Sequence, residues 1–211
     1  ERTCWICLQM SELREKQGRF DLAVELCEKV LTLDRTQTEA RERLGRLLRS
    51  LGRHEEAYQH QLALGEVFRE RVLNEKAVEA FQQAAEILPN DARCRTKLAS
   101  VYAELGRREE QIEETLKAAE IFWSGGHRQE ARRLLTGALE IDARHIGARR
   151  LAIRMADESQ DSAESIAQRK QLAAICLDKH QPRRAISIYR EILEIDKEDI
   201  VTHRSLAEQL I

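Results

Sequence analysis

Proline is almost missing from this chain, and glycine is thin: two prolines and nine glycines in 211 residues. Such scarcity excludes the frequent turns of all-β proteins and the breaker-rich composition of disordered chains. No run approaches the ~20 apolar residues of a membrane span, and no basic-then-apolar leader precedes a small-residue cleavage site. Excess charge of one sign is lacking as well. Thirty-five basic residues against 37 acidic ones leave a net charge of −2, so bulk charge points to no polyanion and disfavours nucleic acid. Cysteine is sparse and odd in number: Cys4, Cys7, Cys27, Cys94 and Cys176 are too scattered for the framework of a small secreted domain. A soluble chain in a reducing, cytoplasmic setting is expected. It opens on Glu1 and stops inside the helical phrase "RSLAEQLI", so an excerpt of a longer chain is also expected.

What is present is amphipathic helix, with 42% hydrophobic and 34% charged residues. Shifting the sequence on itself by 54 residues aligns Ala23, Ala77, Ala131 and Ala185 inside four similar phrases, and behind them Leu33, Ile87, Ile141 and Ile195. Asp34, Asp142 and Asp196 follow in three of the four copies. Glycine or polar turns split each unit into three helices, and stripes such as Leu44, Leu47, Leu48 and Leu51 mark one buried face per helix. The spacing predicts an all-α chain of twelve helices over 4–17, 20–33, 38–51, 54–71, 75–88, 92–105, 108–124, 127–141, 145–157, 162–179, 182–195 and 199–211. Gly18, Gly52, Gly106 and Gly126 fall where a left-handed residue closes a last turn. Gln160 stands where Gly52 and Gly106 stand in their copies, which predicts a looser connection.

Leu64-Gly65-x2-Phe68, then Ala77-x3-Phe81, then Pro89 resembles the tetratricopeptide repeat signature, with Gln61 in place of the tryptophan. Leu44-Gly45-x2-Leu48, Leu98-Ala99-x2-Tyr102, Ala131-x3-Leu135 and Ala185-x3-Tyr189 are weaker copies. First-half signatures at Met10, Leu44, Leu64, Leu98, Ala118, Leu151, Leu172 and Leu206 step by 34, 20, 34, 20, 33, 21 and 34 residues instead of a uniform 34. The helices at 54–71, 108–124 and 162–179 are therefore expected to serve two pairs each. The resemblance implies a right-handed helical-repeat solenoid of about twelve antiparallel helices, a single domain over 1–211 with units near 4–57, 58–111, 112–165 and 166–211.

Motifs that suggest chemistry give way to this frame. Cys4-Trp5-Ile6-Cys7 spells C-x-x-C, but Cys4 aligns with Tyr58, Ile112 and Ile166, an apolar slot, so a buried cysteine is expected there. Cys7 aligns with Gln61, Thr115 and Arg169, a mixed slot, and no further cysteine or histidine lies near enough in sequence to complete a zinc site. "RHEEAYQH" fails as a zinc-protease motif, because His60 lies six positions after His54 rather than four. Without a nucleophile triad or phosphate loop, the reading is no enzyme, no cofactor and no metal.

Basic residues gather on the third helices, and Arg46, Arg49, Lys97, Arg149, Arg150 and Arg154 are the candidate partner-binding residues. The competing reading is a solvated surface, since the helices that follow begin with acids such as Glu55, Glu56, Glu109 and Glu110. The family resemblance implies protein or peptide binding. It also argues against chaperone C-termini, because Asn74 and Asn90, the only asparagines, fall at turns and cannot form a carboxylate clamp. Trp5 and Trp123 are the only tryptophans able to anchor a partner. The expected function is a non-catalytic interaction scaffold for a protein or peptide partner, an acidic one where the basic third helices are engaged, with no membrane role. The alternatives are a targeting or regulatory segment of a larger enzyme or of a secretion or assembly system, and an RNA-binding helical repeat.

Overall fold

A computed structural model describes residues 2–210. It contains α1 (Arg2–Lys16), α2 (Phe20–Leu33), α3 (Thr38–Ser50), α4 (His54–Glu70), α5 (Asn74–Ile87) and α6 (Ala92–Glu104). There follow α7 (Arg108–Ser124), α8 (Arg128–Ile141), α9 (Ile146–Glu158), α10 (Ser162–Asp178), α11 (Pro182–Ile195) and α12 (Ile200–Leu210). No strand occurs among the described residues, and no helix there is long and apolar enough to cross a membrane. Each predicted helix is found, with ends displaced by at most two residues. The last predicted position, 211, lies outside the described residues.

Helix ends follow the repeat more closely than residue type does. Gly18, Val72, Gly126 and His180 form one register of left-handed residues, and Gly52, Gly106 and Gln160 form another, with φ between 55° and 82°. At each, the N–H of the next residue reaches the carbonyl five positions back, for example Arg53 to Leu48, Leu73 to Phe68 and Asp161 to Ala156, all at 2.9 Å. This is the doubly bonded closure that satisfies the orphan carbonyls of a last turn. The Gln160 turn, expected to be looser, keeps the same bonds as the Gly106 turn. What differs is a side chain held in a backbone conformation that glycine adopts without strain.

The remaining junctions use another device. Asp34, Asp142 and Asp196 leave their helices in extended conformation. Their carboxylates accept the N–H of Thr36, Arg144 and Glu198 at 2.9, 2.8 and 3.0 Å. The copy without aspartate has Leu88 before Pro89, and proline drives the residue ahead of it out of the helical region.

The chain divides into two compact units, Glu1–Glu114 and Thr115–Ile211, with the division inside α7. In the first unit α4 packs against α3 and against α5; in the second, α10 packs against α9 and α11. These middle helices serve two partners, as the uneven signature steps predict. Ala23, Ala77, Ala131 and Ala185 are all fully buried. Opposite them, small residues meet large ones. Gly65 touches the Phe81 ring so closely that a methyl group would overlap it. At equivalent positions Ala119 shares a core with Leu135, and Ala173 with Tyr189. Buried Ser11 fills this place on α1, its hydroxyl 3.0 Å from the Ala23 carbonyl and 3.1 Å from the Cys27 sulfur.

Two equivalent clefts as candidate binding sites

The six basic candidates divide into two sets. Lys97 pairs with Glu66, and Arg154 pairs with Glu120 at 2.6 Å. These glutamates are one repeat apart, and Glu12, one repeat earlier, lies 3.5 Å from Arg43. Arg149 turns back onto the Ala143 carbonyl at 2.9 and 3.1 Å and donates to Gln168 at 2.7 Å. Arg41, one unit pair earlier, makes the same bond to the Arg35 carbonyl, so this arginine braces the loop before its helix. Arg46, Arg49 and Arg150 are exposed and have no side-chain partner among the described residues.

Two of these three arginines lead to a cleft. In the first unit a cleft of about 390 Å³ opens between α3 and α5 over α4, with Arg46 on its wall and Leu64 and Phe68 in its floor. In the second, a cleft of about 270 Å³ opens between α9 and α11 over α10, with Arg150 on its wall and Leu172 and Cys176 in its floor. The two are built from positions two repeats apart: Gln61 answers to Arg169, Lys76 to Arg184, Ala80 to Ile188 and Gln83 to Glu191. A third hollow of about 260 Å³, between α8 and α10, has mixed charge, with Arg132 facing Asp161 and Glu164.

The same geometry carries different chemistry in the two clefts. Gln61 donates to Gln83 at 2.9 Å, a neutral amide pair. Arg169 instead donates to Glu191 at 3.2 Å and to both carboxylate oxygens of Asp157 at 2.8 and 2.9 Å, and it also bonds Ser165. The bonds from Arg169, against the opposing cost of burial and with a lesser contribution from Ser165, hold the Asp157 carboxyl below the usual carboxylate range. The guanidinium itself is pushed further up by Asp157 and Glu191.

Sequence reasoning did not reach Arg169, Arg184 and Glu191. The available signal was the mixed slot that contains Gln61 and Arg169, a position that changes chemistry inside a frame that otherwise repeats.

The other motifs resolve into packing. Cys4 is buried as expected, and Cys7 is buried beside it; both belong to a small core with Leu8, Val30 and Ala40. Trp123 is buried, donates its indole N–H to Glu158 and lies under the Arg128 guanidinium at 4.8 Å, whereas Trp5 is 63% exposed. Burial, with Arg41 nearby, pushes His60 below the usual imidazole range. No group of three or more His, Cys, Asp or Glu side chains gathers as a metal set among the described residues.

Residues 15–66 match the family described as Tetratricopeptide repeat. No curated protein matches the chain. Among solved structures, that of Naa15/Naa10 bound to HypK-THB aligns with 13% identity and a TM-score of 0.30, covering 100% of this chain and 39% of that one. The chain thus spans well under half of that protein's length. MamA aligns with 17% identity and a TM-score of 0.30 over 89% of this chain and 95% of its own. YrrB, described as a TPR protein with an unusual peptide-binding site, aligns with 14% identity and a TM-score of 0.29 over 94% and 89%. Residues 15–66 thus carry the match to the tetratricopeptide repeat, and the same helix closures and small-on-large contacts recur along the chain in both units.

Proposed function

We propose that the protein is a non-catalytic interaction scaffold that holds a peptide or protein partner on its repeat surface. The observation that carries this reading is the repeated cleft, open in both units and walled by helices whose ends are closed by hydrogen bonds. A partner entering such a cleft meets a surface already ordered, so little conformational entropy is lost by the scaffold. Arg46, Arg49 and Arg150 are the contacts available to an acidic partner, while Lys97, Arg149 and Arg154 serve the fold. That internal use of half the basic candidates weighs against an RNA-binding repeat, which needs a continuous run of free cations.

The test is capture on the immobilised chain, identification of the bound protein and titration of the purified pair. Reversing Arg46 and Arg49 to glutamate is expected to weaken binding while helicity and melting temperature stay nearly unchanged, because both side chains are exposed. A chain that retains no saturable protein or peptide ligand up to about 100 µM would overturn the scaffold reading.

A further inference from the structure

We propose that the α9–α11 cleft is a docking site for a short peptide segment that presents an apolar side chain between carboxylates. This rests on the scaffold reading and names the site and the chemistry of its partner. The cleft has an apolar interior: Ile146, Ile153, Leu172, Cys176 and Ile188 line it, and three of these are nine-tenths or more buried. Its rim is basic. Arg169 is matched by Asp157 and Glu191, but Arg150 has no partner among the described residues, and Arg184 donates only to the neutral amide of Gln181 at 2.9 Å. Two cations on the rim are left without a carboxylate, in a chain whose net charge is −2.

The repeat frame does not impose this charge. The equivalent cleft of the first unit is balanced, with Glu39, Glu42 and Glu79 against Arg43, Arg46 and Lys76. A volume of about 270 Å³ suits one or two side chains and falls below the usual range for a drug-sized ligand. A bare anion would gain the rim but leave the apolar interior wet. An apolar side chain alone would fill the interior and leave Arg150 and Arg184 unanswered. A peptide with both features satisfies the cleft.

The probe is a blocked, fluorescein-labelled peptide with a leucine pair flanked on each side by two glutamates, titrated by anisotropy against the 211-residue chain at low salt. Its controls carry glutamine for glutamate or serine for leucine, and a polyuridylate of equal charge replaces the peptide in a further arm. The glutamate–leucine peptide is expected to bind, and both peptide controls to bind weakly. Arg150→Glu combined with Arg184→Glu is expected to weaken binding at least about tenfold, whereas Lys29→Glu, on the exposed face of α2 and outside both clefts, changes it less than about twofold. Salt at about 0.5 M is expected to mimic the double variant.

Unchanged affinity in the double variant, equal binding of the glutamine or serine control, no binding of the probe, or polyuridylate binding as tightly as the peptide each overturns the proposal. A random peptide display selection against the same chain separates the two readings. Enriched peptides that bind the double variant as well as the parent overturn this cleft and keep the scaffold. No enrichment at all overturns both.

Discussion

Gln61 with Gln83, and Arg169 with Glu191, are the same contact made twice, two repeats apart, between the second and third helices of a stack. In the first unit it is an amide pair. In the second it is a guanidinium that ties together the end of α9, the body of α10 and the face of α11, with its side chain only 12% exposed. A repeat frame thus keeps a geometric position while its chemistry drifts, because the backbone needs something to span the gap between neighbouring helices and either pair does so. The difference matters at the cleft above it. The neutral pair leaves a balanced rim, whereas the ionic pair consumes its own acids and leaves Arg150 and Arg184 without any.

The largest effect is expected at the tightest contact. Gly65→Ala adds a methyl group that overlaps the fully buried Phe81 ring, and overpacking of this kind costs about 1–3 kcal/mol. The equivalent position in the second unit already carries Ala173 against Tyr189, so an alanine is tolerated there with a differently placed ring. Chemical denaturation of Gly65→Ala alone and with Phe81→Leu checks this. Relief by the smaller partner is expected; equal loss in the single and double variants would mean that the ring is not the obstacle.

Next comes the contact that distinguishes the units. Arg169→Ala strands Ser165 and two carboxylates, and loss of hydrogen bonds to charged groups costs about 1.5–3 kcal/mol, reduced here because Asp157 and Glu191 are 42% and 50% exposed and regain water. Installing the first unit's pair, Arg169→Gln with Glu191→Gln, is expected to recover part of that loss. A double variant no more stable than Arg169→Ala would show that the two contacts are not interchangeable.

Smaller again is the strain in the helix closures. Val72 carries a β-branched side chain at a φ of 59°, where Gly18 and Gly126 stand in their copies, and it is 79% exposed with nothing to hold it there. Relief of about 1–2 kcal/mol is partly offset by the greater freedom of glycine in the unfolded chain, so Val72→Gly is expected to raise stability by roughly 0.5–1 kcal/mol. Gln160→Gly and His180→Gly are expected to gain less, since valine is the residue type least suited to that region. A fall in melting temperature for Val72→Gly would refute the strain.

These contrasts also mark what could be read in the sequence. Helix ends were legible because glycine, aspartate and proline punctuate them, and the period carried the reading to Gln160. At Val72 and His180 only the register, not the residue, betrays the left-handed turn. The clefts were not legible, because Arg169 and Glu191 lie 22 positions apart on different helices and nothing local says that they meet. Basic third helices were visible, yet their usual partners, Glu12, Glu66 and Glu120, lie 31 or 34 residues earlier. Local spacing could not separate a paired arginine from an available one.

The smallest expected effect separates the two contacts by pH. The Asp157 carboxyl is held below its ordinary value chiefly by its bonds from Arg169, whereas an unfolded aspartate titrates near ~3.9. Between the two values the unfolded chain binds the extra proton, so this contribution is complete above about pH 5 and is lost as pH falls through the folded value. The amide pair Gln61–Gln83 has no such proton to take. Because Asp157 is 42% exposed, solvent screening keeps the contribution under about 1 kcal/mol. Other carboxylates in both units titrate in the same window, among them Asp91 and Asp199, so the slope of global stability cannot isolate it. The decisive measurement is the difference between the parent and Asp157→Asn as pH is lowered from about 5 to 3. The gap in unfolding free energy is expected to narrow as Asp157 protonates, and the Arg169 side-chain N–H resonances of the parent to move in step. A constant gap, with those resonances unmoved, would mean that the carboxylate is not held by Arg169 and would remove the charged contact that sets the second unit apart from the first.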